Sequence, residues 1–390
     1  MKAIYVYPGS FCPPTYGHVR LVERAVALFG KIFVVCSVNP DKENYWFSAE
    51  ERVAMWKSYD LPENVEIETL ESFSAKKFDH KNLVLVRGLR NEKDFDDEKQ
   101  VIAINKKRFG IDNYFHILAE EEFKEISSSS ARESAKKLKL EKLSKLVSPL
   151  VQSRLLEKVL EIENLFMVVG RPGSGKSTFL GKLCECFSDS EHINTDFFAD
   201  ELKPMLNNFF PGENLIQVAK YKEDQLKKVL ARPWMEILKR ELHNVRGKRN
   251  VFVEIPYGLQ SDKSMFRFLG GKVIYFGCKN KIQNSTRVIS RGTPEHLDFI
   301  DVIPGKKESK AIAKKHRLSL ICIDTSGTIE ELHALVKIFH HNLNQKGAIS
   351  CAHTKDLLVC SKDLEPKETL NLLGKNWSIV MRNRIALTTR

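Results

Sequence analysis

Short runs of apolar and β-branched residues recur along the first 345 of the chain's 390 residues, with helical patterns between them. Ile4 to Tyr7 and Lys31 to Val38 (KIFVVCSV) are two such runs. Between them, His18 to Phe29 carries Leu21, Val22, Ala25, Val26 and Leu28 as a helical stripe. Unbroken apolarity, rather than alternation, is what a strand buried on both faces needs, and that is the position of parallel strands covered by helices. Val65 to Glu68, Leu83 to Val86 and Phe115 to Leu118 read as further strands. Strand–helix alternation of this kind predicts a doubly wound parallel sheet with ligands at the carboxyl ends of its strands.

Residues 131–162 read as a helical, Lys-rich exit broken at Ser148-Pro149. A second α/β unit then opens on the strand Leu165 to Val169 and continues through Val251 to Ile255, Val273 to Phe276 and Leu318 to Ile323. The expected architecture is α/β, with two doubly wound parallel-sheet domains over residues 1–160 and 161–345. Residues 346–390 have no clear period and read as a C-terminal extension of unassigned role.

Composition narrows the classes of function. Apolar residues at 42% and charged residues at 29% make an ordinary globular mixture, which excludes a largely disordered or fibrous chain. Lys plus Arg number 62 against 50 acidic residues, a net charge of +12 that suits polyphosphate pockets as well as nucleic acid. Aromatic residues do not interleave with the basic runs, so a nucleic-acid partner is not expected. No run of about eighteen apolar residues occurs, so no membrane span is expected. The first residues lack the apolar core and cleavage site of a secretory signal. The eight cysteines are scattered without CxxC spacing, which fits a cytoplasmic protein, and Cys184-x-Cys186 reads as core packing.

Directly after the first strand comes Pro8-Gly9-Ser10-Phe11-Cys12-Pro13-Pro14-Thr15-Tyr16-Gly17-His18. A glycine at a strand end lets the backbone approach a phosphate, and a helix opening at Thr15-x-Gly-His18 offers free N–H groups to an anion. Lys42 follows the second strand in Asn39-Pro40-Asp41-Lys42. Arg87-Gly88-Leu89-Arg90 follows the strand Leu83 to Val86, and Ser127-Ser128-Ser129 precedes another helix. Singly, each has a plain structural explanation: a solvated lysine, a surface arginine pair, an N-cap serine. Together they describe one crevice for a nucleoside triphosphate and a second anion. Nucleotidyl transfer suits it, because an anionic phosphate nucleophile needs alignment and charge neutralisation rather than a general base. His18, Lys42 and Arg87 are expected to supply that charge, with Mg2+ on the departing pyrophosphate.

The blocks PGSF-x-P-x-TYGH, NPDK, FSAEERV, VRGLRNEKDFDDE, Asn105 and ISSSSARE resemble, in order and spacing, those of bacterial-type phosphopantetheine adenylyltransferases over about residues 1–155. That resemblance implies a Rossmann-like nucleotidyltransferase joining ATP and 4'-phosphopantetheine into dephospho-coenzyme A and pyrophosphate. It implies that Ser10 and His18 contact the reacting phosphates, beside the Gly9 backbone already placed at the strand end. Lys42 and Arg87 would then hold the phosphopantetheine phosphate, and Gly88, Arg90, Glu98 and Ser127 to Ser129 would hold ATP. It also implies assembly into homo-oligomers. Cys12 stands where the family has Asp, Asp97 where it has Tyr, and the stretch from Phe73 to Val86 is shorter than the family's.

Gly170-Arg171-Pro172-Gly173-Ser174-Gly175-Lys176-Ser177, followed by Thr178, matches the P-loop pattern after an apolar strand. Its backbone N–H groups would wrap phosphates, Lys176 would reach the β- and γ-phosphates, and Ser177 would ligate Mg2+. Asp196 ends a further strand and is a candidate proton acceptor from an attacking hydroxyl, with an N-cap as the alternative. Glu254 ends another strand, near where a metal-bound water or the acceptor would lie. Arg287 and Arg291, four apart on a helical stretch, fit a lid over the transferred phosphoryl group or a surface pair.

Lys281-Ile282-Gln283 ahead of Arg287, and the block Ile323 to Leu332, are similar to late blocks of dephospho-coenzyme A kinases. The resemblance implies a P-loop kinase acting on dephospho-coenzyme A. The chain as a whole would then be a bifunctional coenzyme A synthase, whose fused steps share a high local concentration of intermediate. A kinase with another acceptor, or a regulatory ATP-hydrolysing unit, is the alternative for the second half.

Overall fold

The computed structural model describes residues 3–38, 45–170, 174–194, 204, 207–212, 223–255, 272–277, 319–324, 329–344, 357–359 and 380–381. The chain divides into two compact units, Met1–Val151 and Gln152–Arg390.

The first unit alternates strands and helices as its apolar pattern requires: β1 Ile4–Gly9, α1 Tyr16–Phe29, β2 Ile32–Cys36, α2 Ala49–Trp56, β3 Val65–Thr69, α3 Leu70–Ala75, β4 Leu83–Leu89, α4 Glu92–Phe109, β5 Tyr114–Leu118, α5 Ser128–Lys136 and α6 Leu140–Leu146. All five strands are parallel, in the order β3-β2-β1-β4-β5. The chain winds outward from β1 on one side, then crosses to the other side at β4. That reversal opens a crevice at the carboxyl ends of β1 and β4, where doubly wound sheets bind ligands. One face of the sheet buries Val6, Phe33, Val35, Leu83 and Leu85 against Phe73 of α3. Val22 and Ala25 of α1 are fully buried, and Phe29 stacks on Tyr5 at 3.9 Å.

Two boundaries differ from those expected. Arg87 and Gly88 lie inside β4 rather than beyond it, because β5 continues to pair with that strand through Leu89. α5 opens at Ser128, three residues before Ala131, because Ser127 caps it and makes the next serines its first turn. The exit expected to break at Ser148-Pro149 does so: α7, Pro149–Leu160, starts with the proline in its first turn, where a missing N–H costs nothing. The division into units falls within α7.

The second unit is also α/β: β6 Asn164–Gly170, α8 Lys176–Cys186, β7 Ser190–Ile193, α9 Glu223–Asn244, β8 Asn250–Glu254, β9 Lys272–Gly277, β10 Ser319–Asp324, α10 Ile329–Asn344, β11 Leu357–Val359 and β12 Val380–Met381. Its sheet runs β12-β11-β10-β9-β6-β8-β7, parallel except for β12. Phe166, Val168, Phe252, Ile274, Phe276 and Ile323 pack against Phe179, Leu180 and Leu183 of α8 and Leu335, Val336 and Phe339 of α10. The two short strands β11 and β12 come from the C-terminal extension and add to this sheet's edge. Cys186 is exposed, so the expected core role fails there; it lies in the last turn of α8, facing away from the packed stripe.

No described helix is long and apolar enough to cross a membrane.

Candidate functional site

A cavity of about 620 Å³ opens at the carboxyl ends of β1 and β4, where the helices α1 and α5 begin. It brings together ten of the residues singled out in the sequence: Gly9, Ser10, His18, Arg87, Gly88, Arg90, Glu98, Ser127, Ser128 and Ser129. Lys42 lies outside the described residues.

Two helix N-termini face this space, and Gly17 is what lets them meet. A Cβ on Gly17 would stand 2.7 Å from the main-chain oxygen of Ile126, the residue just ahead of the Ser127 cap. Ser127 N-caps α5, its hydroxyl accepting from the Ser130 N–H at 3.1 Å. The Ser128 hydroxyl donates to the Pro13 carbonyl at 2.7 Å, tying the loop after β1 to the same helix. Gly9, expected to let the backbone approach phosphate, lines the cavity and also fits against a buried ring. A Cβ there would meet the buried Phe11 ring at 2.6 Å, so the glycine makes room for that ring. Phe11 itself takes a positive φ of 40° and packs edge-on against His18.

His18 was expected to contribute charge, and the structure corrects this. Its Nδ1 accepts the Thr15 N–H at 3.0 Å, so the proton of the neutral ring sits on Nε2. Burial and then the nearby Arg90 charge lower its pKa to about 4. Near neutral pH His18 therefore lines the cavity as an uncharged ring whose Nε2–H is a donor.

Two of the arginines carry acidic partners. Arg87 Nε donates to both Glu98 oxygens at 2.9 Å, and its Nη1 donates to the Pro8 carbonyl at 2.9 Å. Burial works against the Arg87 charge, and Glu98 more than restores it. Arg90 forks onto Asp94 at 2.8 and 3.1 Å. Each guanidinium keeps donors beyond those used, but each pair is close to neutral overall. Further positive charge comes from Arg132, quoted within ISSSSARE but given no role, and from Arg24, which the sequence reading did not single out. Arg132 of α5 donates to the Cys12 carbonyl and, at 3.3 Å, to the Ser129 hydroxyl; Arg24 of α1 donates to the Leu118 carbonyl. Among the described residues neither forms an ion pair. Their spacing held a signal: Arg132 follows Ser128 by four, and Arg24 follows Arg20 by four, which puts each pair on one helical face.

The described residues contain no cluster of three or more His, Cys, Asp or Glu side chains able to hold a metal ion. The cavity's carboxylates are spoken for: Glu98 by Arg87, Asp94 by Arg90, and Glu120 by Arg20 at 2.8 Å. A divalent cation here would come as the partner of polyphosphate oxygens.

The second unit has its own polar cluster where β6 meets α8. Lys176 Nζ donates to the Gly170 carbonyl at 2.9 Å and lies 3.4 Å from Glu254 at the end of β8. The other Glu254 oxygen is 3.2 Å from His192 Nε2 and 3.5 Å from the Ser177 hydroxyl. Burial alone would raise the Glu254 carboxyl, but His192 and Lys176 outweigh it and hold the group below the usual carboxylate range. Gly170, Gly175, Lys176, Ser177 and Thr178 thus surround the head of α8, with Thr178 exposed. Gly173, Asp196, Arg287 and Arg291 fall outside the described residues. His192 was not singled out beforehand; only the pairing of β7 with β8 places it beside Glu254.

A cytidylyltransferase-like family model matches residues 6–134. The phosphopantetheine adenylyltransferase of Petrotoga mobilis is 37% identical over 158 residues, which is 40% of this chain and 95% of that protein. The enzyme of the same description from Leptospira biflexa is 39% identical over 139 residues, 35% of this chain and 86% of its own length. One solved structure, the crystal structure of NadR protein in complex with NR, aligns over 94% of this chain and 92% of its own. Its identity is 14% and its TM-score 0.30, too distant a likeness to carry weight.

Proposed function

The chain belongs, through its N-terminal part, to the phosphopantetheine adenylyltransferases, and from that premise we propose that the first unit transfers adenylate from ATP to 4'-phosphopantetheine. A phosphate oxygen of 4'-phosphopantetheine attacks the α-phosphorus of ATP. The new P–O bond forms as the bond to the β-phosphate oxygen breaks, and pyrophosphate leaves with the electron pair. No proton has to be removed from the nucleophile, so the protein's task is alignment and charge stabilisation.

The neutral His18 ring donates its Nε2–H to an α-phosphate oxygen, held in that tautomer by the Thr15 N–H. The amides heading α1 and α5 receive phosphate oxygens. Arg132, which forms no ion pair among the described residues, and Arg24, whose charge Glu120 partly offsets, offer positive charge that suits the departing pyrophosphate. Arg87 and Arg90 present their remaining donors, with Glu98 and Asp94 fixing their planes. Lys42 is assigned to the phosphopantetheine phosphate on the sequence pattern.

The observation that supports this reading best is the convergence of ten expected residues on one cavity at the β1–β4 reversal. It is tested by pyrophosphate release from ATP, Mg2+ and 4'-phosphopantetheine. His18→Ala should lower kcat by about 10²–10³, as loss of one oxyanion donor does elsewhere. An unchanged rate in that variant defeats the assignment.

For the second unit, phosphorylation of dephospho-coenzyme A on its ribose 3'-hydroxyl by a second ATP is the reading we favour, since Lys176, Ser177 and Glu254 gather at the head of α8. The Ser177 hydroxyl and Glu254 carboxylate are hard oxygen donors suited to Mg2+. Bound there, the ion would neutralise charge on the transferred phosphoryl group. ADP formation should depend on dephospho-coenzyme A and vanish in Lys176→Ala. ADP appearing equally without acceptor would favour ATP hydrolysis instead, and another acceptor would show as ADP formation only with that compound.

A further inference from the structure

Arg52 of α2 lies in the quoted block FSAEERV, but no role was assigned to it there. It is 1% exposed, yet every hydrogen-bond acceptor found for it is a neutral main-chain carbonyl. Nη1 donates to Ser10 at 2.5 Å and to Ser37 at 2.7 Å, and Nε donates to Ser48 at 3.1 Å. Its guanidinium also lies over the Tyr45 ring, 4.9 Å from the centroid. Those contacts join three segments far apart in the sequence: the loop after β1, the residue that follows β2, and the opening of α2. Two of the groups it grips, Ser10 and Tyr45, line the cavity. Burying a cation among uncharged partners is expensive, and an amide could satisfy only part of such a fan of carbonyls. The planar guanidinium reaches two strand ends and a helix start at once, in one fixed geometry. It also leaves a positive charge beneath a pocket suited to anions.

We propose that Arg52 is a positioning residue for adenylyl transfer: it holds the Ser10 loop, the Ser37 carbonyl at the end of β2 and the Tyr45 ring in register around the triphosphate. This inference rests on the reaction assigned above but can be read without it. A residue that sets the register of binding segments should be felt in the transition state more than in ground-state affinity, since small misplacements there are costly. Lysine keeps the charge but cannot bond three carbonyls in a plane.

The test compares the full chain with Arg52→Lys and Arg52→Ala, by pyrophosphate-release kinetics and by hydrogen–deuterium exchange with peptide resolution. Arg52→Lys should lower kcat by about 10–100-fold with the KM for ATP within about threefold. Amide exchange should rise together in peptides covering Ser10 and Ser37, and stay unchanged over α4 and α5. Guanidinium ion added to Arg52→Ala should recover part of the rate. A raised KM with unchanged kcat, or faster exchange only within α2, would overturn the proposal. If Arg52→Ala does not fold, Arg52→Lys decides alone. A wild-type chain inert toward 4'-phosphopantetheine would defeat the reaction assignment and leave the exchange pattern to decide whether Arg52 holds the two segments.

Discussion

Thr15 and His18 show how one hydrogen bond sets a chemical role. With Nδ1 already accepting the Thr15 N–H, protonating that nitrogen would break the bond and bring a cation toward Arg90. The folded-state pKa of about 4 lies below the ordinary 6.5, so between those values the unfolded chain takes up a proton that the folded chain refuses. The stability contributed by the neutral ring is full above pH 6.5 and is lost as pH falls toward 4, by up to about 3 kcal/mol. Nitrogen-15 NMR of the ring should give a midpoint near 4, with Nε2 protonated at pH 7. A midpoint near 6.5 would mean a solvated imidazole and would remove the donor assignment. Residue type alone suggested a cation here, because an ordinary pKa is visible in a sequence and burial is not. For Arg87 too, residue type shows only part of the electrostatics. Its charge is partly cancelled by Glu98, eleven residues along, and only the packing of α4 against β4 brings the two together.

At the scale of elements, the anion-binding end proposed for the first unit depends on α1 and α5 starting side by side. Gly17→Ala should gain up to about 1 kcal/mol of helix propensity yet press a methyl onto the Ile126 carbonyl, displacing Ser127 to Ser129. The expected outcome is roughly tenfold weaker ATP binding by calorimetry, a loss of about 1.4 kcal/mol, at nearly unchanged thermal stability. Unaltered affinity would show that the two helix starts act independently. Ser127→Ala removes a cap and should cost about 1 kcal/mol in urea unfolding. The central strands β1, β2, β4, β6, β8, β9 and β10 were readable because parallel strands under helices are largely apolar, and that signal is local; β3 and β7 are more polar, and β11 and β12 were not read. The strand order, the β1–β4 reversal and the Glu254–His192 neighbourhood come from pairing between distant segments, which no local pattern encodes. Arg24 was not singled out, and Arg52 and Arg132 were quoted within blocks but given no role, for a related reason: they sit on helices among ordinary surface-like residues, and only tertiary structure turns them inward.

For the whole molecule, two α/β units each carry a polar cluster at a strand-to-helix junction, and the two activities assigned to them should be separable by mutation. Lys176→Ala should abolish dephospho-coenzyme A-dependent ADP formation while leaving the kcat for pyrophosphate release within about twofold, since additivity holds for independent sites. A parallel loss of both would mean that the units act as one catalytic body. The adenylyl-transfer assignment itself is tested most directly by mass spectrometry of what the wild-type chain makes from ATP and 4'-phosphopantetheine. Dephospho-coenzyme A, or coenzyme A formed from it, is the product expected. Unconsumed 4'-phosphopantetheine beside intact ATP would contradict the account.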